Sequence, residues 1–129
     1  MTQALTGIRV LDMTHNQAGP ACAQMLGFLG ADVIKVEPPE GDSSRRMAGA
    51  RGSESATFNA VNRGKRGITL DLRKPEAIRI VHELVSAADV VCENFRPGVM
   101  DKLGIGWKQL SALNERLIYC AVSGFGSSG

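Results

Sequence analysis

The chain is poor in the residues that nucleic-acid-binding proteins use. Aromatic side chains make up 5% of its 129 residues, and 15 Lys and Arg against 13 Asp and Glu leave a net charge of only +2. Proteins that bind phosphate backbones or stack bases usually carry a strong positive field and exposed rings. We therefore predict no nucleic-acid partner, and any anion site has to be local.

Cysteines and long apolar runs are also scarce. Cys22, Cys92 and Cys120 are odd in number and widely spaced, which argues against a disulfide framework and against a paired-cysteine metal site. No run approaches the roughly 20 apolar residues of a membrane-spanning helix, and the first residues lack the pattern of a signal peptide. We expect a cytoplasmic protein with no metal site and no membrane segment.

The chain does contain alternating strand and helix patterns in an ordinary globular composition, 43% hydrophobic and 22% charged. Apolar runs predict strands at 8–13, 33–37, 68–72, 90–95 and 117–123, and helical spacing predicts helices at 20–29, 75–88, 97–103 and 107–114. Residues 38–56, rich in Pro, Gly and Ser, are predicted to form a functional or mobile loop. The alternation indicates one domain, residues 1–129, built on an open, mainly parallel α/β sheet flanked by helices.

Ligands of such sheets bind beyond the carboxyl ends of the strands. The first of these places has Gln17, Ala18 and Gly19 directly before a helix, where free N–H groups favour an anion, although a polar turn kept for packing is equally compatible. Glu37 stands where a ribose-binding acid would be. A dinucleotide site is nevertheless disfavoured, because only Gly19 of its three turn glycines is present.

Two further strand ends carry candidate ligand-binding groups. Residues 62–74 are rich in Lys and Arg and suit either phosphate binding or a solvated basic loop. Residues 93–98 combine Asn94, Phe95 and Arg96, which could hold a purine and a phosphate together. The alternative there is a charged turn with Phe95 packed into the core.

Candidates for catalysis are few. Cys22 opens an apolar helix that is predicted to be enclosed, so an inert buried thiol is favoured over a reactive one. His15 could act as a base or be a structural histidine, and His82 is predicted to be solvated. The sequence has no recognisable catalytic triad, metal-ligand cluster or phosphate-loop motif.

The runs LDMTHNQAGPAC at 11–22 and GFLGADVIKVE at 27–37 resemble the opening of the class III (CaiB/BaiF) CoA-transferases. The segments NRGKR at 62–66, LDL at 70–72, ENFRPG at 93–98 and SGFG at 123–126 recur at that family's spacing. Within the family, the first run is most similar to members that exchange CoA between formate and oxalate. The resemblance covers essentially the whole chain and implies a Rossmann-like CoA-binding domain.

The resemblance also implies a mechanism and a set of site residues. An aspartate attacks an acyl-CoA, becomes an aspartyl-CoA thioester and is regenerated when a small carboxylic acid takes the CoA, so that CoA is a substrate and no cofactor is held permanently. Gln17 is implied near the reacting carboxylate and is the catalytic candidate. The implied CoA-binding residues are Gln17, Ala18, Leu70, Asp71, Leu72, Arg73, Asn94, Phe95, Arg96 and Lys102.

Two departures from the family pattern affect these expectations. Pro38 replaces an arginine at the nucleotide, so that Arg45 or Arg46 would have to take over its contact. The nucleophilic aspartate is expected beyond Gly129, which predicts an inactive piece of an enzyme that forms interlocked homodimers at full length. An acyl-CoA racemase of the same superfamily and a non-catalytic nucleotide-binding remnant are the alternatives.

Overall fold

A computed structural model describes residues 2–47 and 55–126 of the protein. Its centre is a sheet of five strands: β1 (Arg9–Asp12), β2 (Asp32–Glu37), β3 (Arg66–Thr69), β4 (Val90–Glu93) and β5 (Ile118–Ala121). They are arranged in the order β3-β2-β1-β4-β5, and every neighbouring pair is parallel. The predicted open parallel α/β sheet is confirmed, and its direction of strand addition reverses between β1 and β4.

Helices connect these strands and cover both faces of the sheet. They are α1 (Ala18–Phe28), α2 (Ala56–Asn62), α3 (Pro75–Ser86), α4 (Val99–Lys102) and α5 (Trp107–Leu113), and a short 3₁₀ helix spans Ser43–Arg46. None of the helices within the described ranges is long and apolar enough to cross a membrane.

The central strands are apolar on both sides because both of their faces are covered. Leu11 and Val91 face the larger core, which α3, α4 and α5 close through residues such as Val81 and Leu110. On the opposite face, Val10 packs against α1 in a smaller cluster. Near-continuous apolar strands are typical of parallel sheets with helices on both sides.

Two elements were not predicted. Helix α2 follows the segment that was predicted as a loop, and the Ser55 hydroxyl caps it by accepting a hydrogen bond from Phe58 N at 3.0 Å. The 3₁₀ helix lies inside that segment, while residues 48–54 are outside the described ranges. Strand β3 begins two residues before its predicted start, because Arg66 pairs with Ile34 in the register of β2.

Helix α1 was predicted to be enclosed on most of its circumference, and this is wrong. Met25, Phe28 and Leu29 are 62%, 56% and 50% exposed. The helix packs against β1, β2, β4 and α2, and these three side chains remain exposed. The sheet beside it is also open at the edge, where Ile118 on β5 is 63% exposed.

Candidate functional site

A cavity of about 310 Å³ opens at the carboxyl ends of the central strands. Its inner part is apolar, because Met13 after β1, Val36 in β2 and Leu70 after β3 are all buried. His15 and Phe95 close it on the side where β1 and β4 meet. The remaining lining residues are Pro38, Glu40, Asp71, Leu72, Arg73, Val99 and Leu103. This is the position at which open parallel sheets bind ligands.

Five of the ten predicted CoA-binding residues line this cavity, namely Leu70, Asp71, Leu72, Arg73 and Phe95. Phe95 also packs against the main core, so that both of its predicted roles are compatible with its position. The turn after β3 supplies four of these residues in succession. Its position next to β2 follows from the hydrogen bond that Leu70 N donates to Glu37 O at 2.8 Å.

The charged rim of the cavity contains both signs. Arg73 donates to Asp71 at 2.7 Å and lies 3.6 Å from Glu40, and its side chain is 74% exposed. The Arg73 guanidinium therefore lowers the pKa of Asp71, and Asp71 raises the pKa of Arg73. An incoming phosphate has to compete with two carboxylates for this arginine.

Arg96 and Lys102 are the exposed cations next to the cavity wall. Arg96 follows Phe95, and Lys102 ends α4 beside Leu103. Within residues 2–47 and 55–126, neither of these two side chains forms a hydrogen bond or an ion pair. They are consequently better placed than Arg73 to accept an anion without losing a partner.

Gln17 and Ala18 lie at the amino terminus of α1, outside the wall of the cavity. Gln17 is the N-cap residue, but its side chain makes no capping hydrogen bond, and both residues are exposed. Next to them, Gly19 faces Thr14 so closely that an added Cβ would lie 2.8 Å from the Thr14 hydroxyl. Gly19 is thus required for close packing of α1 against the turn after β1, which agrees with the second of the two interpretations of this turn.

Asn94 joins the two strand ends at the point where the order of strands reverses. Its Oδ1 accepts a hydrogen bond from His15 N at 2.8 Å, and its Nδ2 donates to His15 O at 2.8 Å. The amide therefore holds the backbone of the β1 turn from the β4 side. Asn94 shapes the cavity through this clamp, although it does not line it.

A buried charge network, formed by Asp12, Lys35, Asp42 and Lys65, lies beneath the His15 turn. Lys65 Nζ and Asp12 Oδ2 are 2.7 Å apart, and Lys35 Nζ lies 3.0 Å from Asp42 Oδ2 and donates to Thr14 O at 2.7 Å. All four side chains are at most 3% exposed. Buried charges are tolerated when they are paired in this way.

The basic segment 62–74 does not form one phosphate site. Lys65 is buried and also binds the carbonyl of Pro20 and Asn62 Oδ1, at 2.8 and 2.9 Å, and Arg66 pairs with Asp32 at 2.6 Å. Residues 62–74 were predicted either to bind phosphate or to form a solvated basic loop. For Lys65, both predictions are wrong. Its basic and glycine neighbours in sequence gave no indication that the fold would enclose it against Asp12.

Glu37 is already engaged and has no free oxygen for a ribose. Its carboxylate accepts from Arg45 Nε and Nη2, both at 2.7 Å, and from Asp42 N at 2.9 Å. Arg45 also stacks over Phe58 at 3.6 Å, and Arg46 donates to Glu40 O at 2.6 Å. The proposed replacement of the missing arginine at Pro38 by Arg45 or Arg46 would break these contacts.

Two other expectations are corrected. Cys22 is exposed, not buried, although it lies next to Cys120 of β5. Desolvation and the nearby Cys120 thiol raise its pKa, so it has no activated thiolate character. His82 is partly buried rather than solvated, and its Nε2 lies 3.1 Å from Gly104 O.

Several cavity residues were not predicted, namely Met13, Val36, Glu40, Val99 and Leu103. Met13 and Val36 lie at the ends of strands, and this position could have predicted both of them as cavity residues. Val99 and Leu103 sit at i and i+4 around α4 and look like ordinary core residues in the sequence. The sequence contains no pattern that could have predicted the buried Lys35–Asp42 pair, because the pairing joins residues from two separate elements.

Comparison with known proteins supports the resemblance inferred from the motifs. The family model described as CoA-transferase family III matches residues 5–129. A formyl-CoA:oxalate CoA-transferase from Bradyrhizobium diazoefficiens is 44% identical over 128 residues, which are 98% of this chain and 30% of that protein. The beta subunit of a succinyl-CoA–L-malate CoA-transferase from Chloroflexus aurantiacus is 47% identical over 99% of this chain and 32% of its own length.

Solved structures have the same fold. A CaiB/BaiF family protein from Brucella suis superposes with a TM-score of 0.94 at 46% identity, covering 100% of this chain and 35% of that one. A hypothetical protein from Mycobacterium tuberculosis gives 0.92 at 43% identity, covering 98% and 35%. The chain thus spans about a third of the length of its relatives. With the family model matching residues 5–129, this chain belongs to the class III CoA-transferase family.

Proposed function

We propose that this chain is the CoA-binding part of an enzyme that moves CoA between carboxylic acids, of the formyl-CoA and oxalate kind. The observation that carries the proposal is the cavity at the carboxyl ends of the strands, which is apolar inside and has Arg73 on its rim, with the exposed Arg96 and Lys102 next in sequence to its lining residues Phe95 and Leu103. CoA combines a flat adenine and a long pantetheine arm with several phosphates. An apolar cavity suits the first two, and Arg and Lys suit the phosphates.

In this proposal the ligand runs along the strand ends. Residues 70–73 and 94–96 contact the nucleotide and the pantetheine, and Lys102 and Arg96 bind phosphates. Gln17 and Ala18 lie at the reacting end, where the open amino terminus of α1 favours the negative charge of a carboxylate. Gln17 supports this role with an exposed amide that has no capping bond to lose.

The proposed chemistry is covalent transfer through an aspartate. The carboxylate attacks the thioester carbonyl and expels CoA thiolate, which then attacks the resulting anhydride and releases the first acid. The acceptor acid reverses these two steps on the aspartyl-CoA thioester. Asp12, Asp71, Asp89 and Asp101 do not match the motif of the family's nucleophile, so the proposal places the nucleophile in the remainder of the longer enzyme.

The proposal includes an interlocked homodimer in the cytoplasm. Met25 on α1, Leu29 directly after it and Ile118 on β5 are exposed apolar side chains, and together they are named the α1-β5 surface. Soluble proteins seldom leave such apolar area uncovered. Further polypeptide of the dimer would cover it. The three free cysteines are compatible with a reducing compartment.

Calorimetry with CoA tests the binding function directly. We expect the wild-type protein to bind CoA, and R96A and K102A to bind about tenfold more weakly, because each removes a charged contact with a phosphate. R116A is the matched control, since Arg116 is also an exposed arginine but lies near the opposite, amino-terminal end of β5. No binding to a folded protein, or equal loss in R116A, would contradict the proposal.

A further inference from the structure

His15 is held at the cavity by contacts on three sides. Asn94 bonds both of its backbone groups, and the edge of its ring meets Phe95 with the centroids 5.7 Å apart at an interplanar angle of 82°. The third neighbour is Asp42, whose Oδ2 lies 3.8 Å from His15 Nδ1. The rest of the partly buried ring contributes to the cavity wall.

The Asp42 carboxylate uses its two oxygens differently. Oδ1 accepts hydrogen bonds from Ser44 N, from Ser44 Oγ and from Asn16 N, at 2.9, 2.8 and 3.2 Å. Oδ2 is fully buried and accepts no well-oriented hydrogen bond within the described part of the chain, although it forms an ion pair with Lys35. A buried carboxylate oxygen without such a bond is costly, and His15 Nδ1 is the ring nitrogen that can supply a donor to it.

From this geometry we infer that Asp42 positions His15 with its proton on Nδ1, leaving Nε2 as a hydrogen-bond acceptor for the ligand in the cavity. The ligand contact rests on the proposed function, because the expected partner is an amide, hydroxyl or thiol hydrogen of CoA. The Asp42 contact does not depend on it. A distance of 3.8 Å is longer than a hydrogen bond, but a buried carboxylate at this distance still favours the proton on the nearer ring nitrogen, Nδ1.

The charges around the ring are compatible with a neutral His15. Burial lowers its pKa, and Lys35 adds to this effect, while Asp42, Asp12 and Glu37 act in the opposite direction. Burial alone would raise the pKa of Asp42, but hydrogen bonds from Ser44 and the adjacent Lys35 ammonium lower it overall and favour the ionised carboxylate. A neutral imidazole has one donor and one acceptor, and an ionised neighbour decides which nitrogen is which.

Long-range proton-nitrogen NMR of the ¹⁵N-labelled free protein near neutral pH tests the position of the proton. The chain has two histidines, and His82 is an internal control. Its Nε2 faces the carbonyl of Gly104, which only accepts, so His82 should carry its proton on Nε2. We expect the opposite tautomer for His15. A proton on Nε2 of His15, or an even mixture, would overturn the inference.

The variant D42N sharpens this test. The new side-chain amide would keep its oxygen towards Ser44 and Asn16, so its NH₂ group would face His15 Nδ1, and the His15 tautomer should switch to Nε2–H. An unchanged tautomer in folded D42N would overturn the role of Asp42. If D42N does not fold, because its NH₂ faces Lys35, the wild-type spectrum still decides the question.

The ligand contact is tested with CoA as the probe. Adding CoA should shift the His15 Nε2 resonance and leave that of His82 in place. H15Q, which keeps a polar group near the Nε2 position, should bind CoA within about threefold of wild type, and H15N about tenfold more weakly. Calorimetric binding with an unmoved His15 resonance would overturn the contact. Absence of all CoA binding would overturn the proposed function instead. The tautomer of His15 in the free protein would still test whether Asp42 holds the proton on Nδ1.

Discussion

The side chain of Asn94 bonds both backbone groups of His15, at 2.8 Å each, across the point where the strand order of the sheet reverses. One amide thereby fastens the turn after β1 to the turn after β4. These two turns carry His15 and Phe95, which form one side of the cavity. The clamp is the direct link between the fold of the sheet and the geometry of the site.

We expect N94A to lose about 1–3 kcal/mol of unfolding free energy, because two partly buried backbone groups lose their partner. N94D is the matched variant. It keeps the acceptor for His15 N but sets a carboxylate oxygen against the carbonyl oxygen of His15, so its loss should be at least as large as that of N94A. Urea unfolding monitored by circular dichroism gives both values. Equal stability of N94A and wild type would show that the clamp contributes nothing.

G19A should destabilise the protein by about 1–3 kcal/mol, as overpacking commonly does, because the new methyl group would overlap Thr14 behind it. G67A is the control, since Gly67 has open space around its Cα and lies in a strand. Thermal and urea unfolding of the two variants should therefore diverge. A similar effect of both substitutions would contradict the close-packing role of Gly19.

Removing one member of the buried Asp12–Lys65 pair should cost about 3–5 kcal/mol, because the carboxylate is left buried and uncompensated. K65A tests this in urea unfolding. R66A is the comparison, since Arg66 pairs with Asp32 at the surface, where ion pairs contribute at most about 1 kcal/mol. A surface-like loss in K65A would mean that water reaches Asp12.

Glu37 should make stability depend on pH in the acid range. Burial alone would raise its pKa, but hydrogen bonds from Arg45 and Asp42 N hold it below the ordinary value of 4.5. Because the folded pKa is the lower one, Glu37 stabilises the protein above about pH 4.5, and this contribution is lost as the pH falls further. The difference in unfolding free energy between wild type and E37Q should therefore shrink from about pH 6 to about pH 3.

The control for this pH series is E115Q, which removes an exposed carboxylate. Within the described ranges, the Glu115 side chain forms no hydrogen bond or ion pair. Its substitution should leave the shape of the acid limb close to that of wild type. If the unfolding free energies of wild type and E37Q differ by a constant amount down to about pH 3, the proposed contribution of Glu37 is contradicted.

The α1-β5 surface should make the chain self-associate. We expect M25E and I118K to reduce association in sedimentation velocity, because a charge at an apolar contact opposes burial of that surface. L113K is matched in chemistry and exposure but lies on α5, on the other face of the sheet. An equal effect of L113K, or a wild-type protein that stays monomeric, would contradict this use of the surface.

The strand and helix alternation was sufficient to predict the parallel sheet, because periodic apolar positions are a local property of the chain. Prediction from apolar periodicity failed at Ala56–Asn62. These seven residues have only a weak helical pattern, yet they form α2, which is capped by Ser55. For the candidate site, residues 70–73 and Phe95 could be placed at strand ends from the sequence and do lie around one cavity. Their role in binding CoA stays a prediction.

By itself, the sequence determined the five strands and four of the helices along the chain, the family motifs and the strand ends at which a ligand would be sought. Only the tertiary structure decided which charges are buried together. Lys65 lies in a basic run yet pairs with Asp12, 53 positions away. Lys35 sits in an apolar strand and meets Asp42 under the His15 turn. The reason is physical: a charge is tolerated in the interior only when the fold brings it an opposite partner, and that partner comes from a different element of the chain.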